Sequence, residues 1–292
     1  MFGIYYFLIF ISGCFFGSFL KVVADRTVKG QSIVFGRSKC DSCNKYLGPL
    51  NLIPIISYIM QGGKCSSCGK KFSVLYPLSE FITGSLFAGT AVYLNIFQNF
   101  NADLLIYFVF LLVVISLYIV MIFSDISYFI IPDSVVYFAI TFVFLFITVG
   151  LLRDIYDFRH EVLSSQFGKY LVEAGYVNLQ IWFMVKSYLV TLVSAFLIGL
   201  FFFILVVITK GKGMGGGDVK LGLLIGLFHG FPYNVLGIFL GFIFGSVFSL
   251  TLILLKKKTI KDIIPFGPFL IAGSLVSLFF GRFILNWYLG LM

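Results

Sequence analysis

Charge is what this sequence has least of. Only 11% of its 292 residues are Asp, Glu, Lys or Arg, whereas 60% are hydrophobic and the mean hydropathy is +1.06. A soluble globular chain carries roughly 25% charged residues, so the composition excludes that class and identifies an integral membrane protein. Histidine is nearly missing, with two in the whole chain. Neither Gly-x-Ser-x-Gly nor His-Glu-x-x-His occurs, which argues against serine and zinc hydrolysis. The Walker pattern Gly-x-x-x-x-Gly-Lys-[Ser/Thr] is also missing, so phosphate cradling by that loop is excluded. Between its two Cys pairs the chain has no basic stripe interleaved with aromatics, and nucleic acid is not an expected partner.

What remains is apolar and aromatic, with 38 Phe and 16 Tyr. Apolar runs at residues 2–23, 75–97, 104–124, 134–152, 181–208, 219–231, 235–255 and 267–291 predict an all-α polytopic fold with about eight transmembrane or re-entrant segments. Most have the ~20 residues needed to cross a hydrocarbon core about 30 Å thick, but 219–231 is short and reads as a short span or a re-entrant piece. The first run is too aromatic, and its flank too poor in basic residues, for a cleaved signal peptide. If the N-terminus lies outside, all Lys and Arg except Arg153, Arg159, Lys169, Lys186 and Arg282 fall on the inner side or at its border. That asymmetry is the positive-inside pattern. It predicts a cell-membrane protein whose basic loops face the cytoplasm and anionic lipid.

Against this background Asp125, in "IVMIFSDISYFIIPD", closes a run without charge from Leu104 to Ser124. An ionised Asp at the centre of a membrane helix costs roughly 3 kcal/mol, so such a group tends to face water, a partner or a reaction. On the predicted topology Asp218 lies on the same side, after Gly215-Gly216-Gly217 and before an apolar segment. A capping role at a helix start explains Asp218 as well as a chemical one does. Two carboxylates at similar depth in a low-dielectric site would share a proton. One would stay protonated while the other acts as base toward a common water, as in aspartic protease dyads.

These residues carry a resemblance. "GMGGGD" (213–218) and "DISYFIIPD" (125–133) resemble the signatures of the type IV prepilin peptidases, membrane aspartic proteases of the Gly-x-Gly-Asp kind. "GSFLKVVADR" (17–26), "YPLSEFITG" (76–84) and "IPFGPFLIAG" (264–273) are similar to further blocks of that family, in the same order. The resemblance implies that Asp125 and Asp218 are catalytic, that Gly215 and Gly217 support the second of them, and that Asp133 is a capping or supporting residue. It implies cleavage of prepilins or pseudopilins, including competence-type pilins, after a Gly that ends a basic leader. Two departures stand out. Lys21 occupies a position where the family commonly has Asn, and a polar outer loop at 153–180, with helical stretches such as "VLSSQFGKYLVEAG", enlarges the interval between the two Asp residues.

The remaining signal is in the first inner loop. Cys40-x-x-Cys43, then 21 residues, then Cys65-x-x-Cys68 is a four-thiolate zinc pattern. Reduced thiols on the cytoplasmic side favour structural zinc over two disulfides, and four Cys ligands leave no open position for catalysis. Cys14, in the first segment, reads as a small buried apolar residue. The family resemblance implies that the Cys-bearing loop serves a second activity, methyl transfer from S-adenosylmethionine to the new α-amino group. Glu80 reads either as a polar group near that methyl site or as an interfacial carboxylate beside Lys70 and Lys71. The expected organisation is a first helix at 1–23, a zinc-ribbon-like loop at 24–74 and a membrane peptidase core at 75–292. The alternative is a transporter or proton relay using membrane carboxylates, against which the Asp residues sit at loop boundaries and internal-repeat symmetry is not evident.

Overall fold

Apolar runs in lipid leave backbone amides no water to bond, so only a structure that satisfies them internally is stable there. The computed structural model follows that rule. It describes residues 3–33, 36, 38–40, 42–46, 48–211, 213–259 and 262–290, and among these there is helix but no β-strand. The elements are α1 (Gly3–Val28), α2 (Ile56–Met60), α3 (Leu75–Tyr93), α4 (Ala102–Tyr128), α5 (Asp133–Ser164), α6 (Gly168–Glu173), α7 (Tyr176–Ile208), α8 (Gly216–His229), α9 (Tyr233–Leu254) and α10 (Gly267–Gly290).

Each expected apolar segment is a helix, but six of the described helices, not eight, are long and apolar enough to cross a membrane: α1, α4, α5, α7, α9 and α10. The two that fall short have physical reasons. The 14 residues of α8 span only about 21 Å. The 19 residues of α3 bury polar Ser79, Glu80, Thr83 and Thr90 among apolar neighbours. These short helices carry Asp218 and Glu80.

The chain divides into two units, residues 1–135 and 136–292. In the first, α1 packs most extensively on α3, and both contact α4. Lipid tails are as apolar as Leu, so helix association here rests on close van der Waals packing between small residues. A Cβ at Gly17 would lie 2.6 Å from the Ser79 carbonyl oxygen and 2.7 Å from Glu80 Cα. Cys14 is buried at the same crossing, as expected for a small apolar residue. The central helix α4 starts at Asn101, whose side chain accepts from Leu104 N (2.7 Å), and buries Leu111, Ile115, Ile119 and Phe123 completely.

In the second unit α7 packs on α8 and α9 on α10, with α8 also touching α9 and α10. A Cβ at Gly226 would come within 2.5 Å of Ala195 Cα, so α8 also lies against its neighbour at backbone distance. Polar groups inside this unit are paired. His229 Nε2 bonds Ser274 Oγ (2.7 Å), Asn234 Nδ2 donates to Ser194 Oγ (2.8 Å), and Ser277 Oγ donates to the Tyr233 carbonyl (2.8 Å).

The 153–180 stretch differs from expectation in extent. Helix α5 does not stop where the apolar run ends but continues to Ser164, and only short breaks separate it from α6 and α7. No Gly or Pro occurs from Leu151 to Phe167, and Arg153 Nε lies 3.4 Å from Asp157 Oδ2 one turn on. The polar residues end the apolar surface, not the helix. At 32 residues α5 is about 48 Å long, well beyond a hydrocarbon core about 30 Å thick.

The α1–α3 crossing gives a direct test. Gly17→Ala is expected to destabilise the protein by about 1–3 kcal/mol through overpacking. Gly89→Ala in α3, where nothing lies within 4 Å of the added methyl, is expected to be neutral or stabilising. Thermal unfolding in detergent reads both. Equal shifts for the two variants would show that close approach does not limit the crossing.

Candidate functional site

The cysteine residues are brought together. The loop between α1 and α3 contains two copies of one small device. Cys40 N donates to Lys45 O (3.0 Å) and Asn44 N to Cys40 O (2.9 Å); likewise Cys65 N donates to Lys70 O (2.8 Å) and Gly69 N to Cys65 O (2.9 Å). The residue after each second cysteine, Asn44 or Gly69, is left-handed (φ 55° and 70°), which turns the chain back so that both sulfurs of a pair face one point. Isolated bridges Lys39–Tyr46 and Lys64–Lys71 close the two knuckles.

The four Sγ atoms of Cys40, Cys43, Cys65 and Cys68 all lie within 4.8 Å of one another, and Cys40 and Cys68 are 3.8 Å apart. Four sulfurs at ~2.3 Å from a tetrahedral zinc would be about 3.8 Å apart, so the set fits such an ion. The electrostatics also fit. The backbone N–H groups of Cys43 and Ser42, pointing at Cys40, bring its thiol down to about 6. Those of Ser67 and Cys68 lower Cys65. At Cys68 the Lys70 N–H favours the thiolate, but burial and the three neighbouring sulfurs outweigh it and push the thiol up to about 11. Four thiolates together therefore need a cation among them.

Glu80 is bonded to the middle of the cysteine-bearing loop. It is buried, and its Oε2 accepts the backbone N–H of Ile55 at 2.6 Å. Ile55 is the N-cap of α2 and has φ 61°, an uncommon conformation for a β-branched residue. Glu80 thus straps the middle of the cysteine loop to α3 and holds a strained turn in place.

The two expected catalytic carboxylates sit at helix ends. Asp125 is 6% exposed, one turn before the C-cap of α4, where Phe129 (φ 55°) returns its N–H to Asp125 O at 2.9 Å. Neighbouring Ser124 Oγ donates to Ala24 O of α1 (3.5 Å). Asp133 is exposed and opens α5 directly after Pro132, where the helix dipole favours a carboxylate. Asp218, in the second unit, is 8% exposed and occupies the third position of α8. Its Oδ2 accepts from Gly215 N (3.1 Å) while its own N–H donates to Gly215 O (3.1 Å). The capping expected of Asp218 is therefore made from inside the first turn, with Gly215 as the N-cap. One carboxylate oxygen is engaged in this way. Gly217 lies within the same turn.

Asp25 was not singled out by the sequence. Its carboxylate accepts from Lys21 Nζ (2.5 Å), Tyr128 OH (3.1 Å) and Tyr76 OH (3.2 Å), joining α1, α3 and α4 at one end of the first unit. Lys21 is 3% exposed and also reaches Ser127 Oγ at 3.5 Å. The i,i+4 spacing of Lys21 and Asp25 was the one signal available. The tyrosines come from far along the chain.

Residues 11–94 match the family model described as the bacterial peptidase A24 N-terminal domain, and residues 110–250 match that of the type IV leader peptidase family. A prepilin leader peptidase/N-methyltransferase of Bacillus subtilis is 29% identical over 97% of both chains. Proteins of the same name from Legionella pneumophila and Pseudomonas aeruginosa are each 26% identical, over 87% and 88% of this chain and 76% of their own. No solved structure matches. The cysteine-bearing loop and the Gly-Gly-Gly-Asp helix start fall inside the two matched regions, and the chain belongs to the type IV leader peptidase family.

Proposed function

We infer that this protein is a membrane aspartic endopeptidase that removes the leader from prepilins or pseudopilins and N-methylates the new N-terminus. Relatives of that name over nearly the full chain carry the reading. They do not favour the transporter alternative. Asp125 and Asp218 supply the chemistry: each is a buried carboxylate at the end of an apolar helix, where it can meet water without crossing lipid. One carboxylate, ionised, takes a proton from water. The other, protonated, polarises the scissile carbonyl and then gives its proton to the leaving amine. The substrate's apolar helix lies among the enzyme's helices, so the Gly bond that ends its leader emerges at the depth of the helix ends. Asp133 and Glu80 support the scaffold, and Gly215 and Gly217 admit backbone close to Asp218. The active site faces the cytoplasm across the bacterial inner membrane, consistent with the distribution of Lys and Arg.

The four-cysteine centre holds structural zinc through Cys40, Cys43, Cys65 and Cys68, and these ligands fill its coordination. S-adenosylmethionine supplies an electrophilic methyl group for the amine uncovered by cleavage. The Ile55–Glu80 strap keeps the cysteine loop against α3 for that second step.

Two sets of measurements test these assignments. Co-expression with a prepilin, followed by N-terminal mass analysis, should show cleavage reduced by at least about a hundredfold in Asp125→Asn and in Asp218→Asn, but retained in Asp133→Asn. A product heavier by one methyl group establishes methyl transfer. Full cleavage by both Asn variants would sink the dyad. Metal analysis should find one zinc per chain, lost in Cys40→Ser and in Cys65→Ser. Because ion binding displaces thiol protons, zinc affinity should weaken progressively as pH is lowered and protons compete for the four sulfurs. Zinc content unchanged by the Cys substitutions would rule out this ligand set.

A further inference from the structure

The first unit contains a cleft of ≈ 340 Å³ whose walls include Lys21, Asp25, Lys29, Lys70 and Lys71. Cys40 of the zinc centre also lines it, but the five charged residues are neither used by peptide-bond cleavage nor needed as zinc ligands. The cleft is within the ~300–1,000 Å³ typical of small-ligand pockets. Its location is defined by helix ends. Lys21 and Asp25 lie in the last two turns of α1, Tyr76 in the first turn of α3, and Tyr128 is the last residue of α4. Since α1 and α4 are apolar enough to cross a membrane, the cleft lies at the boundary between hydrocarbon and water.

Its charge decides what it can hold. The single carboxylate, Asp25, is matched by Lys21 at 2.5 Å. Lys29, Lys70 and Lys71 add three further positive charges to the walls, and the N-terminal end of α3 adds a positive dipole. Cys40 brings the cysteine centre to the cleft wall, and a zinc ion held by four thiolates would carry a charge of about −2, so the three lysines outweigh it by about one charge. Both ligands of the proposed reactions are a poor match. A prepilin leader is basic, and S-adenosylmethionine, with sulfonium, ammonium and one carboxylate, is a net cation. An anion is favoured, and at this depth the abundant anions are lipid phosphates.

We propose that this cleft binds the phosphate of an anionic membrane-lipid headgroup. Lys29, Lys70 and Lys71 contact the phosphate, while the Lys21–Asp25 pair and the two tyrosine hydroxyls form a fixed polar floor. The acyl chains run along the apolar surface outside α1 and α4. A bound lipid of this kind would tie the cysteine loop, which supplies Lys70 and Lys71, to the membrane surface beside α1.

Native mass spectrometry of the full-length protein in detergent, titrated with phosphatidylglycerol or phosphatidylcholine, tests this. Phosphatidylglycerol should bind first and about tenfold more tightly. The triple variant K29Q/K70Q/K71Q should lose that preference. Its counterpart K29R/K70R/K71R should keep it, which separates loss of charge from loss of fold. The variant K256Q/K257Q/K258Q, outside the cleft, should also keep it. Equal weakening by the two Gln triples, or loss in the Arg triple, would overturn the site. Sodium phosphate should not displace the lipid; displacement by phosphate, with no preference between the two lipids, would assign the cleft to a free anion and overturn the lipid reading. The readout is lipid binding, so it stands or falls separately from prepilin cleavage.

Discussion

Backbone amides without access to water have to bond one another, and that requirement governs this molecule. It makes the apolar runs helical and leaves unpaired N–H and C=O groups only at the helix ends. Polar chemistry is concentrated there for the same reason. Asp125 and Tyr128 close α4, Asp133 opens α5, Asp218 sits in the first turn of α8, and Tyr76 in the first turn of α3. A carboxylate at such a place can use the local dipole or a backbone N–H, as Asp218 does with Gly215. The same carboxylate in mid-helix would have neither.

Helix association is solved by a different device. Hydrophobic burial contributes little between helices that otherwise face lipid, so backbones approach until small side chains touch. Gly17 on α1 and Gly226 on α8 mark two such approaches. Large aromatic residues such as Phe138, Phe196 and Phe203 stay on the outside, which in water would promote aggregation but suits a hydrocarbon solvent.

Legibility in the sequence followed the range of each interaction. The cysteine centre was readable because each knuckle is local: two sulfurs, one left-handed residue and a bridge fit within eight residues of chain, from Lys39 to Tyr46 and from Lys64 to Lys71. The apolar helices were readable from composition. The reach of α5 was not, because polarity marks the end of the membrane-facing surface and does not by itself end a helix. The Asp25 cluster was also hidden, since Tyr76 and Tyr128 reach it from 51 and 103 residues away. Glu80 was visible as a carboxylate of interest, but its partner is a main-chain N–H, which no side-chain pattern announces.

That single bond from Ile55 to Glu80 has a bearing on how the cysteine loop folds. Without it, one long segment would have to close on itself before the second pair of sulfurs could find the first. Fixing Ile55 to α3 splits that segment into two shorter closures of similar length, from Cys43 to Ile55 and from Ile55 to Cys65. The entropy lost in ordering a loop rises only slowly with length, so splitting it does not reduce the total. It instead changes the order of events: the strap can form as α1 and α3 assemble, and the two knuckles are then presented to a metal ion as near neighbours.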